Sequence, residues 1–447
     1  MEYPIFELPM LGGGMLIAGI AIFHVFIAQF SIGAAFLVAL AERRAIRDGD
    51  ADTRRFLRQY ARMILLVPYV LGTMTGVGVW MAISVVNPRA TSALIHLFVW
   101  AWASEWVLFI VEVASIYLYV YTWDRIAPRA HNAIAWIFAG ASWLTLVIIN
   151  GILSFMLTPG AWRPGEPGGF WPALLNPLFW PTTLIRTLIA LALGGAGVML
   201  LVALLKDLAP AVREKVTRLA YRMILPVWLC LPLAGWAFAV LPGRAQTFLQ
   251  GGAPVMVVFL GFGMATFVIL AASALVGMWR RDYSVSVFRA VLVCLLAFVS
   301  YGSFEFVREG ARKPYIIEDF MYSTGVTVPG AAGVDRRANL TRVRADGVLA
   351  AAPWALPPGR TVADLDLRDA GPPVFRAACH ACHTLDGYNA VRPLVRGWSA
   401  AHARYLLDHM NELKPAMPPF PGTDAEKEAL ARYLADLGTA VRIGGPR

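Results

Sequence analysis

Residues 21–40 read AIFHVFIAQFSIGAAFLVAL, twenty positions interrupted by no charge and carrying a single histidine, His24. A helix of that length is about 30 Å long, the thickness of a bilayer's hydrocarbon core. The rest of the chain has the same character. Of 447 residues 58% are hydrophobic and only 15% charged, and mean hydropathy is +0.59. Such a composition is poorly suited to a soluble globule and predicts an all-α, polytopic membrane helix bundle. Eight spans are expected, at residues 10–40, 60–85, 93–121, 133–157, 182–205, 219–241, 254–278 and 287–307.

The formal net charge of +10 does not form a nucleic-acid-binding face, because the basic residues lie between the spans, and unequally. Arg43, Arg44, Arg47, Arg54, Arg55, Arg58 and Arg62 follow the first span. Arg125 and Arg129 follow the third, Lys206, Arg213, Lys215, Arg218 and Arg222 the fifth, and Arg280, Arg281 and Arg289 the seventh. The alternate loops hold little beyond Arg89, Arg163 and Arg244. Positive loops stay in the cytoplasm, so the N-terminus is expected outside, and eight spans return the chain to the outside. No cleavable signal peptide is expected, since the first apolar run continues too far and lacks a small-residue cleavage site.

Beyond the last span, residues 316–372 are rich in Gly, Pro, Ala and Arg and read as an extracytoplasmic linker over the membrane domain (residues 1–315). Residues 373–447 read as a small separate domain. It contains RAACHACHTLDG at 376–387, in which Cys379, Cys382 and His383 form the C-x-x-C-H pattern of covalent c-type haem attachment. His383 is the expected proximal ligand. The sixth ligand is expected to be Met417 in KPAMPPFPG, where Pro415, Pro418 and Pro419 stiffen the loop; His402, His409 and Met410 are the competitors. Covalent haem attachment belongs outside the cytoplasm, where loop charge independently puts this tail. Cys230 and Cys294 lie in apolar runs and read as small buried hydrophobes.

Ionisable groups at membrane depth are costly and mark function. Besides His24 there are Glu105 and Glu112, seven apart and so on one helix face, in SEWVLFIVEVASIYLYVYTWDR (104–125). His96 is expected near the outer start of the same span. Arg186 lies in the fifth span, and Glu305 and Glu309 end the eighth, followed by Arg308, Arg312 and Lys313. Such a set ligates iron, moves protons, or pins helix packing. Arg312 and Lys313 suit haem propionates.

These stretches resemble subunit I of the cytochrome bd oxygen reductases over roughly residues 10–325, with a class I cytochrome c domain appended. FHVFIAQFSIGAAFLVALAE (23–42) is similar to the family's first helix, which implies His24 as a ligand of an active-site haem. FIVEVASIYLYVYTWDR (109–125) is similar to the third helix, implying haem and proton-region carboxylates at Glu112 and, one residue out of step, Glu105. VIINGILSFMLTPGAW (147–162) resembles the fourth helix, with Asn150 and Gly151 retained. EGARKPYIIEDFMYSTG (309–325) resembles the family's E-x-G-R-Q-P-W stretch, implying Glu309 as ligand of a second high-spin haem b and Arg312 as a haem-contacting base. Lys313 and Tyr315 replace the family's glutamine and tryptophan. The family's low-spin haem b uses a helix-seven methionine, matched by Met256 with Met264 in reserve, and a helix-five histidine whose position holds Arg186. That haem is therefore expected to be missing or ligated differently, with Arg186 turned to propionates or to a carboxylate. The loop corresponding to the quinol-binding loop is only PGRAQTFLQGGAP (242–254).

The resemblance thus implies an oxygen reductase of the bd type, in a bacterial cytoplasmic membrane. It would carry covalent haem c, more than one haem b, and either haem b or haem d at the oxygen site. Its electrons would come from an extracytoplasmic cytochrome c or similar donor, and a homologous or other membrane subunit would be its partner in the lipid bilayer. The competing classes are an electron-transfer membrane subunit without oxygen chemistry, and a transporter or scaffold with a sensory haem c. Protease added to intact spheroplasts is expected to release the haem-stained tail; survival of the tail while a known outside marker is cleaved would refute the orientation.

Overall fold

The computed structural model describes residues 5–166, 168–281, 283–331, 338–366 and 369–439. Residues 332–337 and 367–368 of the expected linker and the last eight residues of the expected tail domain lie outside the described residues. Eight helices are long and apolar enough to cross a membrane: α1 (Gly12–Asp48), α2 (Ala51–Val86), α3 (Val99–Tyr121), α4 (Pro128–Phe155), α5 (Phe179–Leu204), α6 (Pro210–Ala239), α7 (Pro254–Trp279) and α8 (Val287–Arg312). The span count matches the sequence reading. The helices α1, α2 and α6 extend further at the charge-rich end, because their amphipathic turns continue into the basic loops.

The α1–α2 turn shows why. Gly49 adopts a left-handed φ of 66°, and its neighbour Asp50 caps α2 by accepting the Thr53 amide at 2.8 Å. Asp50 also pairs with Lys215 at the start of α6. That pairing and the Thr53 bonds hold the Asp50 carboxyl down at about 2 against the opposing effect of burial. His96 is not on the third span. Asn87 and Pro88 start a separate helix, Pro88–Leu97, with the Asn87 side chain accepting the Ala90 amide at 3.1 Å.

The bundle is drawn tight where small residues meet. A Cβ on Gly33 of α1 would come 1.7 Å from the Ala190 carbonyl oxygen of α5, and one on Gly194 would come 2.4 Å from Gly33. Only glycine lets the two backbones approach so closely. Tyr60 of α2 donates to the Gly194 carbonyl at 2.8 Å across the same crossing. Asn150 of α4, 2% exposed, donates to Thr182 and Thr183 of α5 at 2.9 Å.

Two spans are interrupted at prolines. The turn Val67–Gly72 of α2, beginning next to Pro68, is a π-helix, and Leu225–Leu229 of α6, around Pro226, is 3₁₀. Proline removes an amide donor and crowds the preceding turn, so the backbone widens or tightens there.

After α8 a two-stranded antiparallel ribbon, β1 (Tyr315–Ile317) and β2 (Met321–Tyr322), stacks Tyr315 on Tyr322 at 4.9 Å. Arg244, from the loop after α6, lies 4.7 Å over Tyr315, donates to the Lys313 carbonyl at 2.9 Å and pairs with Glu318. Burial pushes the Glu318 carboxyl up to about 7, Arg244 only partly offsetting it.

The expected linker is more ordered than its composition implies. It contains α9 (Leu340–Asp346), and Leu340, Val343, Val348 and Leu349 share one core with Val374, Phe375, Leu430 and Leu434 of the tail. The tail's own helices are α10 (Gly371–Ala378), α11 (Ala400–Asp408) and α12 (Asp424–Thr439). Thr423 and Glu426 form the reciprocal cap at the start of α12: Glu426 accepts the Thr423 amide at 2.8 Å, and Thr423 accepts the Glu426 amide at 3.2 Å. The same carboxylate accepts the amides of Val348 and Leu349 at 2.8 and 2.9 Å, so one buried glutamate closes both segments into a single unit.

Candidate functional site

The π turn of α2 organises the intramembrane residues. At the end of that turn the Gly72 oxygen meets His24 Nδ1 of α1 at 3.1 Å. Thr75 Oγ1 lies 3.1 Å from the same nitrogen. With Nδ1 donating to a backbone carbonyl, the lone pair belongs to Nε2, the arrangement of a histidine prepared for a metal. Gly76 completes the cradle, because a Cβ there would approach the ring carbon Cε1 to 3.0 Å.

Three residues back on the same turn, Tyr69 donates its hydroxyl to Glu112 Oε1 of α3 at 2.6 Å, and Ser31 of α1 reaches Tyr69 at 3.5 Å. Glu112 is 8% exposed. One irregular turn thus holds His24 on one side and Glu112 on the other. Glu105 lies seven residues away on α3, half-buried, with no hydrogen bond or ion pair among the described residues. Gln29 of α1 is 2% exposed, and neither atom of its amide has a partner among the described residues. Buried amides without partners are costly. Tyr69, Gly72, Thr75, Gly76 and Gln29 were not singled out from the sequence; Pro68 inside an apolar run was the available signal.

The other candidates form a second, separate network. Arg186 of α5 is turned to a carboxylate: its guanidinium donates to Glu305 of α8 at 2.8 Å and to the Tyr301 hydroxyl at 3.0 Å. Arg308 holds the other Glu305 oxygen at 2.7 Å. One turn on, Glu309 is ion-paired to Arg312 and Lys313, and Arg312 also donates to the Ile316 carbonyl at 3.3 Å. Met256, 3% exposed, packs its sulfur against α8, where a Cβ on Gly310 would come within 2.8 Å of it. Arg186 and Met256 therefore do not offer the donor pair of a low-spin haem. A guanidinium bound to a carboxylate and a phenol presents no ligating lone pair.

In the tail, α10 delivers Cys379, Cys382 and His383 in one turn, with the Cys382 and His383 amides both donating to the Cys379 carbonyl at 3.1 and 3.0 Å. The two thiols are free. Burial, reinforced by Cys382, pushes the Cys379 thiol up to about 12, the reverse of the low-pKa nucleophile in a redox dithiol. His383 Nδ1 faces the Asn389 carbonyl at 3.1 Å, so Nε2 again carries the lone pair. Burial lowers the His383 pKa, the Asn389 contact opposing it, which keeps the ring neutral for ligation. Met417 is half-buried, and its loop is held by Asn411 donating to the Met417 carbonyl at 2.8 Å. The donor chemistry fits a haem attached through two thioethers and one imidazole.

The tail is docked on the membrane bundle. The Tyr388 amide donates to the Met10 carbonyl at 2.7 Å, and Arg376 pairs with Glu7 at 2.9 Å. Thr384, next to His383, lies beside Gly12 at the start of α1, where an added Cβ would come 3.5 Å from its methyl group. His24 lies twelve residues further along that helix, roughly 18 Å at 1.5 Å per residue. Among the described residues no three His, Cys, Asp or Glu side chains converge as a site for a bare metal ion.

Residues 15–247, just over half of the chain, match the family described as Cytochrome bd terminal oxidase subunit I. Residues 366–434 match Cytochrome C oxidase, cbb3-type, subunit III. Comparison with curated proteins finds no match. Among solved structures the chain is similar to the bd oxidase from Geobacillus thermodenitrificans, at 14% identity and a TM-score of 0.62, over 78% of this chain and 96% of that one; this is a likeness of fold.

Replacing Arg186 by leucine leaves Glu305 with Arg308 and the Tyr301 hydroxyl, and takes away the guanidinium that both Glu305 and Tyr301 accept from. The expected loss is about 2–3 kcal/mol, the worth of charge-assisted bonds at a buried site, read as a lower unfolding temperature in detergent. An unchanged unfolding temperature would show that the network carries no structural weight.

Proposed function

The chain belongs to the cytochrome bd terminal oxidase subunit I family, and from that premise we propose that it is a bd-type oxygen reductase subunit fed through its own tethered haem c. When bound, the haem of the tail supplies a one-electron relay, and a haem b or haem d held from His24 supplies the iron at which oxygen is reduced to water. The carrying observation is the docking of the C-x-x-C-H turn against the start of α1, the helix that also bears His24.

The residues have distinct tasks in this reading. Cys379 and Cys382 would hold the tail's haem covalently, with His383 offering Nε2 and Met417 its thioether to the iron. His24 would offer Nε2 to the iron, its ring fixed by Gly72 and Thr75 and given room by Gly76. Glu112 carries the proton at Oε2, because Oε1 already accepts from Tyr69. An acid is useful only within hydrogen-bond reach of the group it serves, and Tyr69 sets that reach by fixing the carboxyl. Glu105, without a hydrogen bond or ion pair among the described residues, is the next carboxylate along the same face. Arg312 and Lys313 serve propionates while neutralising Glu309, and Arg186 is a positioning residue through Glu305. No role is assigned to a low-spin haem b, since Arg186 and Met256 do not fit one.

The donor is an extracytoplasmic cytochrome c or similar redox protein, and the chain works beside a second membrane subunit. Its site is a bacterial cytoplasmic membrane, with the N-terminus and tail outside. The ion pairing of Glu309 favours one other reading, an electron-transfer membrane subunit without oxygen chemistry, because a carboxylate so engaged is a poor iron ligand.

Oxygen uptake measured on one preparation, partner subunit included, separates the possibilities. Reduced cytochrome c is expected to support uptake well above that with reduced quinol. Robust quinol oxidation after removal of the haem c attachment cysteines would overturn the donor assignment. Failure with every donor despite bound haems would favour the electron-transfer reading.

A further inference from the structure

At the end of the bundle opposite the tail, α1, α2, α5 and α6 enclose a cavity of about 450 Å³ that the proposed electron path does not use. Its two ends differ in chemistry. Five cations, Arg44, Arg47, Lys215, Arg218 and Arg222, surround it, against one lining carboxylate, Glu214. Glu214 is taken up by Arg218, Arg47 pairs with Asp48, and Lys215 pairs with Asp50. Arg44 and Arg222 are exposed and make no hydrogen bond or ion pair among the described residues. The inner wall is apolar, formed by Leu37, Phe56, Leu57 and Val198. Leu37 lies seven residues before Arg44 on α1, two turns nearer the bilayer centre.

We propose that this cavity is a binding site for an anionic phospholipid, with a two-phosphate, cardiolipin-type lipid preferred over single-phosphate lipids. Basic pockets between membrane helices at the headgroup level are recognised sites for such lipids. The guanidinium groups match phosphate oxygens by paired hydrogen bonds, and the apolar wall gives an acyl chain a protein surface instead of bulk lipid. Arg218, Arg47 and Lys215 are already paired with carboxylates, and the two cations left over, Arg44 and Arg222, exceed the single charge of one phosphodiester. Free inorganic phosphate has no use for the apolar wall. Loop charge alone is not the explanation, because basic residues of these loops differ in what they do. Arg213 is committed to the Val202 and Leu205 carbonyls at the end of α5, at 3.1 and 3.0 Å, whereas Arg44 and Arg222 are uncommitted and face the cavity.

Native mass spectrometry of the full chain in detergent, stripped of lipid and then titrated, is the test. Cardiolipin, phosphatidylglycerol, phosphatidylethanolamine and inorganic phosphate are the probes. Cardiolipin adducts are expected at the lowest concentration. The R44Q/R222Q pair is expected to weaken them on the order of tenfold, while R125Q/R129Q, which removes equal charge from another basic loop, leaves them unchanged. A Leu219→Trp variant, which narrows the cavity without altering charge, is expected to weaken them as well. Equal loss in the two arginine pairs, equal binding of phosphatidylethanolamine, or competition by inorganic phosphate would overturn the proposal.

Discussion

A polar group at membrane depth has no water to turn to, so each one must be answered from within the protein or by something the protein holds. That constraint arranges this chain. His24 is answered by the Gly72 carbonyl at the end of a proline-bordered π turn, and Glu112 is answered by the tyrosine three residues earlier on that turn. Arg186 is answered by Glu305 and Tyr301, and Glu309 by Arg312 and Lys313. Among the described residues the unanswered groups include the bare Nε2 of His24, the amide of Gln29 and the carboxyl of Glu105. These are the places where a cofactor, a proton or a neighbouring subunit has something to bind.

Much of this was legible in the sequence, for reasons that can be named. Span count followed from uninterrupted apolar length, and the haem motif from residues whose chemistry admits few other uses. Charged groups inside apolar runs identified themselves. Their partners did not, because partnership is decided by helix packing. Tyr69, Gly72 and Gly76 are unremarkable in an apolar stretch, and only the α1–α2 contact gives them a task. The sequence reading offered Arg186 a propionate or a carboxylate, and packing against α8 selected Glu305. His96 was assigned to the wrong helix because Pro88 and Asn87, which start a new one, lay before an apolar run that looked continuous. Residues 340–356 were read as linker because the stretch around them is rich in Gly, Pro, Ala and Arg and weakly periodic; they become core only against the tail, where Glu426 ties them in.

The two halves of the chain meet through its first residues. Met10, Glu7 and Gly12 lie between the bundle and the C-x-x-C-H turn, so the position of the tail is set by the same helix that carries His24. A tethered donor on a long mobile linker would need repeated encounters. In the proposed function a docked donor, held by a backbone hydrogen bond and an ion pair, has its geometry prepared in advance, and orientation of this kind is what makes a transfer effectively unimolecular.

The order in which the pigments are reduced tests this account most directly. The oxidised complex, with its partner subunit, is mixed anaerobically with reduced cytochrome c, and the haem c and membrane-haem absorbance bands are followed separately. The account predicts that haem c is reduced first, that the membrane haem follows, and that the second phase disappears in a Cys379→Ala, Cys382→Ala chain that still binds its membrane haem. Reduction of the membrane haem at an unchanged rate in that variant would contradict it.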